Sequence, residues 1–209
     1  MVLADHDLPN AVGGALCLDF VNTVDPRHEV NRREYLSDYD ALVAWARHVG
    51  AISEAQARRM LSASRQYPAQ SSQALRRAVL LREALYRIFA SMTQGRGPRG
   101  DDLDRMNHEL SNAMVQARVV NAKDGFRWRW DDSRLRLDYI LWPVVRSAAD
   151  LLTVGPLERV RECPGAGTCG WMFLDVSKSG KRRWCEMSSC GNRAKARRHY
   201  SRLSHSQET

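Results

Sequence analysis

The sequence predicts an α+β chain: a mainly helical N-terminal domain with a small β-hairpin, followed by a short module of knuckle, hairpin and basic helix. Three observations carry this reading. Apolar residues recur at helical spacing in capped segments through the first 155 residues. Alternation of the strand kind is clear in Phe126-Arg127-Trp128-Arg129-Trp130. Four of the five cysteines crowd into the last quarter, just ahead of a run of Arg and Lys.

At 209 residues the chain has room for one ordinary domain of about 150 residues and a small module. The expected divisions are a helical domain at 1–156, a module at 157–203 and a flexible tail at 204–209. A short, largely apolar helix is expected over Ala15–Thr23, after Gly13-Gly14. Ser37 is placed as the cap of a helix to about Val49, burying Tyr39, Leu42, Val43 and Ala46 and stopping at Gly50. Ser53 and Gln56 form a capping box for the next helix, which ends before Tyr67-Pro68. Leu75, Val79, Arg82 and Tyr86, with Leu81, Leu85, Ile88 and Phe89, mark a long helix from Ser72 to Gln94. The Gly- and Pro-rich segment 95–100 ends it, and Asp101 is the expected cap of a helix reaching about Ala117. Arg118-Val119-Val120 then faces Phe126–Trp130 across Asp124-Gly125 as a hairpin. Leu137 through Leu152 keeps helical spacing, with Pro143 either kinking that helix or lying in its first turn, and Gly155-Pro156 closes the domain.

The cysteines stand as Cys163-x5-Cys169, fifteen residues, then Cys185-x4-Cys190. Two short-spaced pairs joined by a short segment suit a tetrahedral Zn²⁺, each pair curling round one side of the ion. A module under 50 residues buries too little apolar surface to fold unaided, and a structural zinc supplies on the order of 10 kcal/mol. Four thiolates close the coordination sphere, so this zinc is structural, not hydrolytic. The expected layout is treble-clef-like: a strand at 170–175, a turn at Ser177–Gly180, a returning strand at 181–184, then Asn192 capping a helix with Cys190 at its mouth. Ala196, Tyr200 and Leu203 are spaced to pack that helix back on Trp171 or Phe173.

Residues 157–203 hold eleven Lys/Arg against four acids, a net +7 of the chain's +8. That concentration points to a polyanionic partner. Arg193 with Arg197, and Arg198 with Arg202, form like-charged i, i+4 pairs that make sense with phosphate between them. Arg193, Lys195, Arg197, Arg198 and Arg202 are therefore the expected helix contacts with nucleic acid, and Lys178, Lys181, Arg182 and Arg183 the expected hairpin contacts.

The motifs Cys-Gly-Trp-x-Phe-Leu-Asp, Arg-Arg-Trp-Cys and Cys190-Gly191-Asn192-Arg193-x-Lys-x-Arg resemble the CGNR zinc finger. Leu16–Thr23 and Ala148-Ala149-Asp150-Leu151-Leu152 resemble the ABATE-type domain that precedes it in bacterial proteins described as stress-induced transcription regulators. The resemblance implies Cys163, Cys169, Cys185 and Cys190 as zinc ligands, and a regulator as the function.

Other residues carry weaker signals. Asp19 and Asn22 lie three apart on an apolar helix, with Thr23 and Arg32 or Arg33 nearby, and are either ligand contacts or a buried polar anchor. Trp45, Trp128, Trp130 and Trp142 read as core or interface rather than an aromatic cage. Cys17 reads as a small hydrophobe, with a redox-sensing thiol as the alternative. His48 and His108 lack partners for metal binding or catalysis. No phosphate loop, Ser-His-Asp set or acid/base pair argues for an enzyme.

Scattered disulfide cysteines, a basic apolar leader at Met1–Asp7 and an apolar run of membrane-spanning length are all missing from the sequence, so a reducing cytoplasm is expected. The expected function is a bacterial DNA-binding regulator whose helical domain senses a signal or forms a homodimer. Alternatives are an RNA-binding finger, a finger docking an acidic protein, and a small-molecule-binding N-terminal domain with an accessory finger.

Overall fold

The computed structural model describes residues 8–205, without the side chains of Ala166 and residues 202–205. Seven α-helices and six short strands are assigned within that span. Helix α1 is Leu16–Val21, and its buried Phe20 packs on Trp45 of α2 (Tyr39–His48), ring centroids 5.1 Å apart. Asp38, rather than Ser37, caps α2: its carboxylate accepts from Ala41 N at 2.7 Å. Helix α3, Glu54–Gln66, has the expected capping box between Ser53 and Gln56. Helix α4, Pro68–Thr93, begins four residues before the expected Ser72, since proline at the first helical position gives up an amide that needs no partner there.

Helix α5 is Gly100–Met114. Asp101 does not cap it but lies inside its first turn beside Asp102, whose carboxylate accepts from the Arg87 guanidinium at 2.6 Å. Helix α6, Leu141–Thr153, takes Pro143 in its first turn, so no kink is needed. Together α1, α2, α4 and α6 enclose the main core, in which Trp45, Leu81, Ile88, Phe89, Ile140 and Val144 are fully buried.

The strands form three antiparallel pairs: β1 (Val24–Asp25) with β2 (Arg33–Glu34), β3 (Ala117–Ala122) with β4 (Gly125–Trp130), and β5 (Val160–Glu162) with β6 (Met172–Leu174). The β3–β4 hairpin matches its expected position, turning at Lys123-Asp124. In the module, however, 181–184 is not a strand. Strand β6 pairs backward with β5, so the Cys163–Cys169 knuckle is the tip of the hairpin instead of preceding it.

Strand β6 has two apolar faces. Met172 enters the helical core, as Val160 of β5 does, while Trp171 and Phe173 on either side wall the cysteines in a second, smaller core. The segment after α1 fastens this arrangement. Asn22 is fully buried and its carboxamide pairs with the Met172 backbone in both directions, each bond 2.8 Å. Arg27 N donates to Cys169 O at 2.8 Å, and the Trp171 indole donates to Val24 O at 2.9 Å. Leu174 N donates to Gly13 O, while Gly13 N donates to the Asp19 carboxylate at 2.7 Å.

Long polar side chains tie α4 in as well. The Arg27 guanidinium donates to Glu83 and Val21 O and lies 4.0 Å over the Tyr86 ring, whose hydroxyl donates to Glu162 of β5. Buried Arg82 forks onto Glu34 and reaches Glu83. Among the described residues, no helix is long and apolar enough to cross a membrane.

Candidate metal centre and nucleic-acid interface

Cys163 follows β5 and Cys169 closes the knuckle, whose tight path depends on Gly170 at φ +69, where a Cβ would meet the His28 ring. Cys185 follows the loop from β6. Cys190 lies in a π-helical turn, Met187–Gly191, that runs directly into α7 (Asn192–His205). Asn192 is consequently not an N-cap: its backbone is already helical, and its side-chain amide donates back to Ser188 O at 3.0 Å. A Cβ at Gly191 would meet the Met187 sulfur, so a side chain here would displace the Met187 side chain.

The Sγ atoms of Cys163, Cys169, Cys185 and Cys190 all lie within 4.8 Å of one another and all four residues are buried. Cys169 and Cys185 are 3.8 Å apart, Cys185 and Cys190 3.6 Å. A tetrahedron with Zn–S bonds of about 2.3 Å has S···S edges of about 3.8 Å, so the donor set fits Zn²⁺. The thiols also show why a dication suits them. Hydrogen bonds from Cys169 and Cys185 hold the Cys163 thiol far below its usual range, and the same sulfur–sulfur hydrogen bonds, together with burial, push Cys169 and Cys185 well above theirs. Bound zinc lets all four ionise together. Arg193 adds a further positive charge, its guanidinium donating to Cys190 Sγ at 3.3 Å, and this contact raises the arginine's own pKa.

Residues 14–155 match a family model, ABATE, described as "Putative stress-induced transcription regulator". The chain belongs to the ABATE family. Residues 159–203 match the CGNR zinc finger, which together with the four-sulfur cluster assigns one structural zinc to Cys163, Cys169, Cys185 and Cys190. No curated protein matches the chain.

This ABATE protein separates the expected nucleic-acid residues into two groups. Lys195, Arg197 and Arg198 on α7, and Lys178, Lys181 and Arg183 on the loop after β6, are exposed. Asp175 shapes that loop: its buried carboxylate accepts from Ser177 N and Oγ and from Arg182 N, which holds its pKa below the usual range. Arg182, half-buried, and Arg193, also exposed, make contacts within the module. Arg182 donates to Trp184 O and Cys185 O with its guanidinium 4.7 Å over the Phe173 ring, leaving few donors for phosphate. The Arg202 side chain lies outside the described residues.

Helix α7 departs from expectation in its packing. Ala196 is exposed and Tyr200 is 70 % exposed, so neither packs on Trp171 or Phe173, whose surfaces the cysteines already occupy; the Leu203 side chain lies outside the described residues. The helix is held at its root, by the π-turn and the knuckle. It continues to His205, past the expected start of the tail at 204, and residues from 206 on lie outside the described span.

Asn22 has both ends of its carboxamide engaged, and Asp19 holds Gly13, so both polar side chains have partners within the fold. Burial pushes the Asp19 carboxyl up to about 6, against the Gly13 hydrogen bond and the charge of His48. Cys17 is fully buried and its thiol is pushed up to about 12 by desolvation, consistent with an apolar packing role. Trp45 and Trp142 are core, whereas Trp128 is 51 % exposed.

The role of Arg193 at the metal was missed from sequence, although its place three residues after Cys190 puts it one helical turn away. The docking by Arg27 had no local signal: beyond Val21, its partners lie far off in sequence at Glu83 and Cys169.

Proposed function

We propose that the chain is a DNA-binding transcription regulator of bacterial type, acting in the cytoplasm, in which the zinc module sets α7 against the duplex. The observation that carries this reading is the exposure of α7. Lys195, Arg197 and Arg198 stand on a helix fixed at its root and otherwise open, with Lys178, Lys181 and Arg183 on the neighbouring loop. Such a helix suits a major groove, and the loop lysines suit the phosphates beside it. Zinc supplies no chemistry beyond holding the four thiolates. Arg193 and Arg182 position the elements around it, and the helical domain is the place for signal sensing or homodimer formation.

The test is binding of the zinc-loaded protein to random duplex DNA and to structured RNA across a salt series. Replacing Arg197 and Arg198 by Ala should weaken duplex binding and flatten the dependence of log K on log salt by about 1.8, at about 0.9 per phosphate contact, with zinc content unchanged. Unchanged affinity in this variant would remove the proposal. Preference for structured RNA would shift the reading to RNA, and absence of binding to either polymer would shift it to an acidic protein partner.

A further inference from the structure

Strands β3 and β4 form a ribbon whose two faces differ. The register places Ala117, Val119 and Asn121 beside Trp130, Trp128 and Phe126 on one face, and Arg118, Val120 and Ala122 beside Arg129, Arg127 and Gly125 on the other. Only the base of the first face is anchored, by Trp130 against Trp142 at 5.9 Å and by Arg146 lying 4.5 Å over the Trp128 ring. Farther out, Val119 is 60 % and Phe126 80 % exposed. A two-stranded ribbon is marginal by itself, and exposed aromatics near its tip do not contribute to folding.

The second face is cationic. Arg118 stands directly across from Arg129, an arrangement that costs stability because the charges repel. Each leans away to an acid at the base, Asp131 at 3.3 Å and Asp132 at 3.8 Å. Arg127 and the turn residue Lys123 are exposed and have no ionic partner among the described residues. Between 117 and 130 the ribbon carries Arg118, Lys123, Arg127 and Arg129 against Asp124 alone. Charge complementarity selects a polyanion, and a two-stranded ribbon has the width that a major groove of about 12 Å admits.

We propose that the β3–β4 ribbon is a second contact with duplex DNA, made by its cationic face, with Arg127 and Arg129 on phosphate. The proposal rests on the DNA-binding reading of α7 and extends it. One short helix reads few base pairs, and the ribbon gives a single protomer a second surface.

The experiment measures binding of the full-length, zinc-loaded protein to random duplex DNA, to single-stranded DNA and to structured RNA over a salt series, for wild type, Arg127→Ala/Arg129→Ala, Phe126→Ser and Arg197→Ala/Arg198→Ala. Circular dichroism and zinc content confirm that each variant is folded. The ribbon arginine variant should lose about tenfold in affinity near physiological salt and about 1.8 in salt slope, while Phe126→Ser, on the opposite face, should keep both affinity and slope. Wild-type affinity and slope in the ribbon variant would overturn the proposal and leave α7 as the contact, provided Arg197→Ala/Arg198→Ala weakens binding. Loss in the ribbon variant with none in the α7 variant would support the ribbon and overturn the α7 reading. Wild type that binds no duplex overturns both. A ribbon effect confined to RNA or single strands overturns the duplex proposal.

Discussion

The hairpins β5–β6 and β3–β4 are stabilised by opposite means. The first has strands of three residues, yet its residues are among the most constrained in the molecule: Val160 and Met172 enter the helical core, Trp171 and Phe173 enclose the cysteines, and Asn22 completes its edge. The second has strands of six residues and is buried only near its base, where Trp130 meets Trp142. Strand length therefore says little about rigidity here. What matters is how many faces of a strand have something to pack against, and β6 has two where β4 has half of one.

The largest effect should come from removing the metal site. Cys185→Ser, or chelation, should withdraw on the order of 10 kcal/mol of folding free energy from the module. Near-UV circular dichroism should lose the Trp171 and Trp184 signals, while most far-UV helical signal from α2 to α6 remains. Survival of a protected β6 in hydrogen exchange would break the contrast between the hairpins. Next, Asn22→Ala removes both side-chain bonds to the Met172 backbone in a fully buried place. A cost of about 3 kcal/mol in urea unfolding is expected, with faster exchange at Met172 N–H.

A smaller effect concerns Asp19, which reaches β6 through Gly13. Burial raises its carboxyl from 3.8 to about 6, so the folded chain binds this proton more tightly than the unfolded chain does. The contribution of Asp19 to stability is then greatest below about pH 4, declines as pH rises to about 6, and is flat above. Asp19→Asn should be insensitive to this window, and its stability relative to wild type should rise across it by on the order of 2 kcal/mol, measured by urea unfolding at several pH values. The smallest effect belongs to the other hairpin: Phe126→Ser should change stability by less than about 0.5 kcal/mol, because that ring is 80 % exposed. A larger loss would show that the β3–β4 apolar face is packed in solution.

Local patterns were readable in the sequence where the physics is local. The Ser53–Gln56 capping box, the apolar spacing of α4, the 118–130 hairpin and the cysteine pairs depend on neighbours within a few residues, and the structure contains each of them. Pairings across long separations were not readable. Residues 181–184 resemble a returning strand, but the edge of β6 is taken by β5 on one side and by Asn22 and Gly13 on the other. Arg82 has the spacing of a core residue and is indeed buried, yet the bidentate partner of its guanidinium is Glu34, far upstream, with neighbouring Glu83 meeting its Nε. Tyr200 fits a packing stripe on α7, but Trp171 and Phe173 are buried against the cysteines and Tyr200 is left exposed.

The two-faced strand β6 also makes the halves of the chain thermodynamic partners. Met172 cannot settle into the helical core unless Trp171 and Phe173 settle around the sulfurs, so metal affinity and helical-domain stability are linked quantities. Linkage is reciprocal: anything that tightens the folded helical domain must raise the affinity for zinc by the same factor that zinc raises the affinity for it. Zinc affinity is thus a gauge of events at α1, α4 or α6, readable by titrating the metal alone.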